Sequence, residues 1–202
     1  MHTSTHTHLE NVRLLHASRR LDWRFLLPDP SLGIVGYLGP SRGSLLDALR
    51  LFSTSTDVLS GAQALADHPA AYDLIVINDA SARALDAARR ALKPGGSLYA
   101  EFGRVPVTRL STTLRSASAL VGLAQASGLI DVRAHWHWPS FEGCTRIVPV
   151  DDGDAFAFVL THGRAGAGAH VKGATARLLA RSGLLGWTVP CLSIVGQAPG
   201  QR

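Results

Sequence analysis

The sequence predicts an α/β domain built on a doubly wound, mostly parallel sheet. Three observations carry this. Leu32 to Gly43 runs Leu-Gly-Ile-Val-Gly-Tyr-Leu-Gly-Pro-Ser-Arg-Gly, an apolar stretch that stops at a glycine-rich turn. A helical pattern follows at once, with Leu45, Leu46, Ala48, Leu49 and Phe52 on one stripe. Tyr72-Asp73-Leu74-Ile75-Val76-Ile77-Asn78 is a nearly continuous apolar run, as expected for a strand buried on both faces of a parallel sheet. Beyond it, extended and helical segments alternate at the spacing of βαβ units.

The chain has 202 residues, of which 46% are hydrophobic, enough for one sizeable core. Its formal charge of +5 comes from arginine, since Lys93 and Lys172 are the only lysines. The arginines are scattered, with a modest cluster at Arg13, Arg19, Arg20 and Arg24, and read as a solvated basic surface. No dense basic stripe marks a specific nucleic-acid face. Cys144 and Cys191 make no disulfide framework, which fits a reducing compartment. The polar, histidine-rich start has no signal-like apolar core. The longest apolar stretch, 183–196, is broken by Pro190 and is too short to span a bilayer. A cytoplasmic protein without a transmembrane segment is expected.

Residues 1–10 are expected to form a mobile tail and 9–27 a short helix or turn, stopped by Pro28-Asp29-Pro30. The first strand is expected over 32–38 and the next helix to start at Ser44 as its N-cap. A second strand follows at 56–59, then a helical turn at 63–67 and the strand 72–78. Residues 81–92 form an amphipathic helix, with Ala84, Leu85, Ala88, Ala91 and Leu92 inward. Lys93-Pro94-Gly95-Gly96 is expected to stop it, and 97–102 to form the next strand. A helix at 111–127 and a strand of period two at 130–138 complete the alternation. Past Pro139 the expectations are an extended run at 146–150, a helix capped by Asp154, a Gly/Ala loop at 163–169, a helix at 172–181 and a last strand at 189–196. The organisation is an N-terminal tail and short helix (1–30), an α/β core (31–138), and a C-terminal helical extension with an antiparallel last strand (139–202).

The strand Tyr72 to Asn78 with Asp79, the helix after it, and Ala91-Leu92-Lys93-Pro94-Gly95-Gly96-Ser97-Leu98-Tyr99 resemble the class I S-adenosylmethionine-dependent methyltransferases. That family writes this stretch as an "fDlv" strand followed by "LkPGG.l". The resemblance implies a Rossmann-like methyltransferase fold, S-adenosylmethionine as cofactor, and methyl transfer to a small-molecule or glycan-like acceptor. The family's glycine motif, Asp/Glu-x-Gly-x-Gly-x-Gly, aligns with Tyr37-Leu38-Gly39-Pro40-Ser41-Arg42-Gly43. The first and third glycines are present; Ser41 replaces the second and Tyr37 the acid. The family's ribose-gripping acid after the second strand is replaced by Leu59-Ser60-Gly61. About a dozen residues separate Leu59 from Tyr72, too few for a helix, a strand and another helix. One sheet edge is therefore expected to be abbreviated. These departures leave two readings open: an active methyltransferase, or a noncatalytic methyltransferase-like partner of a biosynthetic enzyme.

Ligands in open α/β sheets sit beyond the C-terminal strand ends. That rule, with the resemblance, gives Tyr37, Gly39, Ser41, Gly43, Ser60 and Asn78 as candidate cofactor-binding residues. Tyr37 is equally able to fill the space of a cofactor. Asp79 is a candidate base, or with Ser81 a cap of the next helix. Glu101 ends its strand beside the same edge and is open to pairing with an arginine. His137 is a second candidate base, since imidazole titrates near neutral pH; His135 shares its face, and Trp136 and Trp138 take the other. Glu142 and Cys144 are suitable zinc ligand types, but nothing fixes a tetrahedral set with the histidines, and no metal is expected. Gly39 to Gly43 matches Gly-x-Ser-x-Gly literally, yet it comes too early for a hydrolase elbow and no oxyanion loop precedes it. It also lacks the lysine of a P-loop.

Overall fold

The computed structural model describes residues 3–78, 80–102, 117–161 and 191–200. Seven strands form one sheet in the order β2-β1-β3-β4-β7-β5-β6. In chain order these are β1 (Ile34–Leu38), β2 (Ser55–Leu59), β3 (Tyr72–Asn78), β4 (Leu92–Phe102), β5 (Ile130–Trp138), β6 (Arg146–Pro149) and β7 (Leu192–Gln197). β2, β1, β3 and β4 run parallel, whereas β7 lies antiparallel between β4 and β5. This is the Rossmann-like architecture the sequence predicts, antiparallel last strand included. It is abbreviated as expected: β2 closes one edge, and between it and β3 there is only α3 (Ala62–Ala66). The opposite edge gains β6, antiparallel to β5, so residues past Pro139 extend the same sheet.

The two faces bury different sets. α1 (Thr3–Arg20), a 3-10 turn (Asp22–Leu26) and α2 (Ser44–Phe52) cover one face. There Leu21, Trp23, Leu46 and Leu49 pack on Val35, Tyr37, Leu74, Val76 and Tyr99. Trp23 stacks on Tyr99 at 3.7 Å with the rings 5° from parallel. α3, α4 (Ala82–Ala91) and α5 (Ala117–Ala126) cover the other face, burying Leu65, Leu85, Ala88, Leu120 and Ala124 on Ile75, Ile77, Leu98 and Ala100. α2 leaves β1 to one face while α3 and α4 serve the other, so the strand order switches at β1/β3. The mouth beside that switch is where a ligand crevice forms.

Several local expectations are corrected. α1 starts at Thr3, where a tail was expected, because no proline or glycine interrupts the chain before Arg20. Ser44 is not the cap of α2. Gly43 holds that position at φ +145°, a conformation that favours glycine, and Ser44 is the first helical residue. The helix after β6, α6 (Gly153–Thr161), is capped by Asp152, whose Oδ1 accepts from the Asp154 and Ala155 amides at 3.0 and 2.9 Å. Ser81 does cap α4, accepting from the Ala84 amide at 3.3 Å. The expected segments at 105–109, 163–169 and 172–181, and the start of the helix at 111–127, lie outside the described residues.

Lys93 to Gly96 is a bulge within β4 and not a break before it. Leu92 pairs with Tyr72 and Ser97 with Leu74. Gly95 takes φ +76°, and a Cβ on Gly96 would meet the Lys93 carbonyl oxygen at 2.9 Å. The bulge carries Lys93 back to Asp73, which it meets at 2.7 Å, while the second Asp73 oxygen accepts from the Ile34 amide at 2.9 Å. Asp73 thus ties the start of β1 to β3 and β4. Partial burial raises its pKa; the Lys93 hydrogen bond, the Ile34 amide and the Lys93 charge outweigh that and hold it below the usual carboxylate value. Its stabilisation is complete above the unfolded pKa and is lost as pH falls through the folded one. Asp73→Asn is expected to cost about 1 kcal/mol at neutral pH. In urea titrations the difference from wild type is expected to shrink in acid.

Candidate active site

Strand register assembles a polar row that no local stretch of sequence displays. Asn78 pairs with Glu101, Glu101 with Ser193, and Ser193 with His135. Directly paired residues share a face, so the row crosses β3, β4, β7 and β5 at the mouth, on the side covered by α1 and α2. His137, two residues beyond His135, lies on the same face. Glu101 is 3% exposed and Ser193 is fully buried.

Arg20, in the last turn of α1, meets this row. Its two terminal nitrogens take both Glu101 oxygens, at 2.7 and 2.8 Å, in a bidentate pair. Tyr99 donates its hydroxyl to Glu101 at 2.9 Å. Burial alone would lower the Arg20 pKa, but the hydrogen bond and charge of Glu101 hold it above its usual value. Burial, and then the Glu101 charge, push the Tyr99 hydroxyl well up. The expectation that Arg20 belongs to a solvated basic cluster is therefore corrected: it is 5% exposed. Glu101 does pair with an arginine, the alternative left open for it. The available signal was a lone carboxylate at the end of an apolar strand.

His137 bonds Ser193 Oγ through Nε2 at 2.8 Å and is 2% exposed. Burial, with the Arg20 charge and then His135 adding to it, pushes its pKa down to about 3. His135 is pushed down to about 4 by burial, against a weaker pull from Asp151. The tryptophans take the opposite side as expected, with Trp136 stacked on Phe156 at 4.9 Å. Among the described residues, no group of three His, Cys, Asp or Glu side chains is placed to hold a metal ion.

The proposed cofactor residues separate into two groups. Tyr37, Gly39 and Asn78 come together. Tyr37 is 1% exposed and hydrogen-bonds Asn78; burial is the first cause that raises its pKa. A Cβ on Gly39 would meet the Tyr37 hydroxyl at 2.5 Å and Asn78 Cβ at 2.9 Å. Tyr37 and Asn78 thus fill the space above Gly39. Ser41 and Gly43 lie instead in an exposed loop, and Ser60 is exposed after β2. Among the described residues, nothing lies within 4 Å of a Cβ placed on Gly43 or Gly61, so they leave this side open. Asp79 lies outside the described residues.

Glu142, in the loop between β5 and β6, reaches across this mouth. Its two oxygens accept from Ser44 Oγ at 2.7 and 2.6 Å, and one lies 3.7 Å from Arg20 Nε. A carboxylate therefore sits at the N-terminus of α2, where the helix dipole favours negative charge.

No protein-family profile and no curated protein matches the chain in sequence. Solved structures do match in fold. One is phosphoethanolamine N-methyltransferase 2 of Haemonchus contortus in complex with S-adenosyl-L-methionine: 12% identity over 90% of this chain, TM-score 0.53. This chain covers 52% of that one, about half its length. Another is a SAM-dependent methyltransferase of Archaeoglobus fulgidus, 14% identical over 92% of this chain and 94% of that one, TM-score 0.52. The fold is that of the class I S-adenosylmethionine-dependent methyltransferases. Among the described residues, no helix is long and apolar enough to cross a membrane.

Glu101→Gln leaves Arg20 buried without its counter-charge and is expected to cost about 3–5 kcal/mol in thermal or urea unfolding. Joint replacement of Arg20 and Glu101 by apolar residues is expected to cost less than the sum of the single changes. The folded histidines protonate only near about 3 and about 4, the unfolded ones near 6.5. Their stabilisation is complete above the unfolded value and is lost as pH falls below it, by up to about 1.4 kcal/mol per pH unit for each. His137→Asn is expected to halve that slope between about pH 6 and pH 4.5, read from urea midpoints.

Proposed function

We propose that this protein binds S-adenosylmethionine over the loop Gly39–Gly43 and transfers its methyl group to a small-molecule or glycan-like acceptor. The observation that carries the reading is the open glycine loop between β1 and α2, placed at the strand-order switch of a methyltransferase fold. The exposed loop backbone and the free space at Gly43 and Gly61 fit a ligand of nucleoside type. When bound, the cofactor supplies an electrophilic methyl on a sulfonium. The chain's own task is to hold the acceptor in line, which needs positioning more than chemistry. Tyr37 and Asn78 form the floor, the exposed Ser60 is assigned to the ribose, and Asp79, which follows Asn78 in the sequence, is the candidate base. His137 is assigned to shaping the mouth, because its imidazole is engaged with Ser193.

A second reading, a noncatalytic partner of a biosynthetic enzyme, is favoured by one observation: Tyr37 occupies the space over Gly39 at the position where the family carries an acid. Calorimetry with S-adenosylhomocysteine separates the two. Measurable binding is expected on the first reading. Ser60→Asp restores a carboxylate after β2 on an exposed residue and is expected to tighten binding about tenfold, since a charged acceptor makes the stronger bond to a hydroxyl. No heat from wild type or Ser60→Asp at millimolar ligand overturns the first reading in favour of the second.

A further inference from the structure

The loop between β5 and β6 is a compact closure. Its base is pinned where the Thr145 amide and hydroxyl both donate to the Trp138 carbonyl, at 2.8 and 3.2 Å. A turn tightens its middle, with the Gly143 amide donating to Ser140 Oγ at 3.1 Å. From this frame Phe141 leans on the His137 ring at 4.9 Å and under the Arg20 guanidinium at 5.7 Å. Glu142 then reaches Ser44, directly after the glycine loop.

Two features of the Glu142 contact set it apart from packing. The Glu142 side chain is 69% exposed, so its bonds to Ser44 are open to exchange with solvent or a competitor. Beside it lies Arg20 Nε, buried and without a hydrogen-bond partner, facing the carboxylate from 3.7 Å. The Arg20 terminal nitrogens are committed to Glu101, which leaves this third donor aimed at whatever anion sits on Ser44. The chain supplies that anion itself.

We infer that the β5–β6 loop is a strap latched in cis beside the mouth, with Glu142 competing at Ser44 and Arg20 against the anionic end of a ligand on the glycine loop. This rests on the reading that Gly39–Gly43 binds a ligand, although the closure itself does not. Opening breaks the Ser44 contact and leaves the Thr145–Trp138 base in place, so the motion is confined to 139–144.

Glu142→Ala and Ser44→Ala each remove one side of the latch, and only the first changes charge. Both are at exposed positions and are expected to fold, with amide exchange across β4 as the control. Faster hydrogen exchange over 140–144 is expected in both variants. Glu142→Ala is expected to bind S-adenosylhomocysteine about tenfold more tightly than wild type. Unchanged exchange over 140–144 in both variants overturns the strap, as does equal affinity of wild type and Glu142→Ala for S-adenosylhomocysteine. If no variant binds S-adenosylhomocysteine, the methyl-transfer reading falls, and exchange over 140–144 alone decides whether the strap stands.

Discussion

The bidentate pair between Arg20 and Glu101 is the constraint on which the mouth of this domain depends. Two opposite charges taken out of water must stay together, since either one alone would be a buried charge without compensation. Glu101 is fixed by β4 and its neighbours β3 and β7. The last turn of α1 therefore has one place to sit. Its position brings Leu21 and Trp23 onto the sheet and stacks Trp23 on Tyr99, whose hydroxyl completes the coordination of Glu101. Burial, with the charge of the same guanidinium adding to it, keeps nearby His137 from taking up a proton. One ion pair thus sets the docking of a helix and the orientation of an aromatic stack.

Around that pair the mouth has two characters. Toward β3, Tyr37 and Asn78 fill the space above Gly39, and the polar row through Ser193 is sealed. Toward β2 the glycine loop is exposed, and no described residue crowds Gly43 or, after β2, Gly61. Glu142 bridges the two, an acidic side chain of the chain's own at the helix terminus beside the loop.

The stretch that carries the family resemblance is structural in its visible role. In "fDlv", Asp73 bonds the Ile34 amide and Lys93; in "LkPGG", the bulge brings that lysine into reach and Gly96 clears the backbone of β3. These residues lie at the opposite end of the strands from the mouth. The motif ties β1, β3 and β4 together whether or not a ligand binds.

Periodicity and turn residues determined the α/β class and the bounds of β3 and β5, and the length of the connection after β2 left no room for another strand there, because these depend on neighbours in sequence: an apolar run buried on both faces, an alternation, a short connection. Local chemistry erred where tertiary contacts compete with it. Ser44 looks like a cap but gives its hydroxyl to Glu142, and Arg20 looks like surface charge but is buried on Glu101. Glu101 was singled out, but its partner was not, since 81 residues separate the two. The polar row likewise exists only in the register of four strands. A strand's own sequence records which residues share a face; which residues of other strands and helices meet them is decided by the pairing of the sheet and the one position its buried charge allows α1.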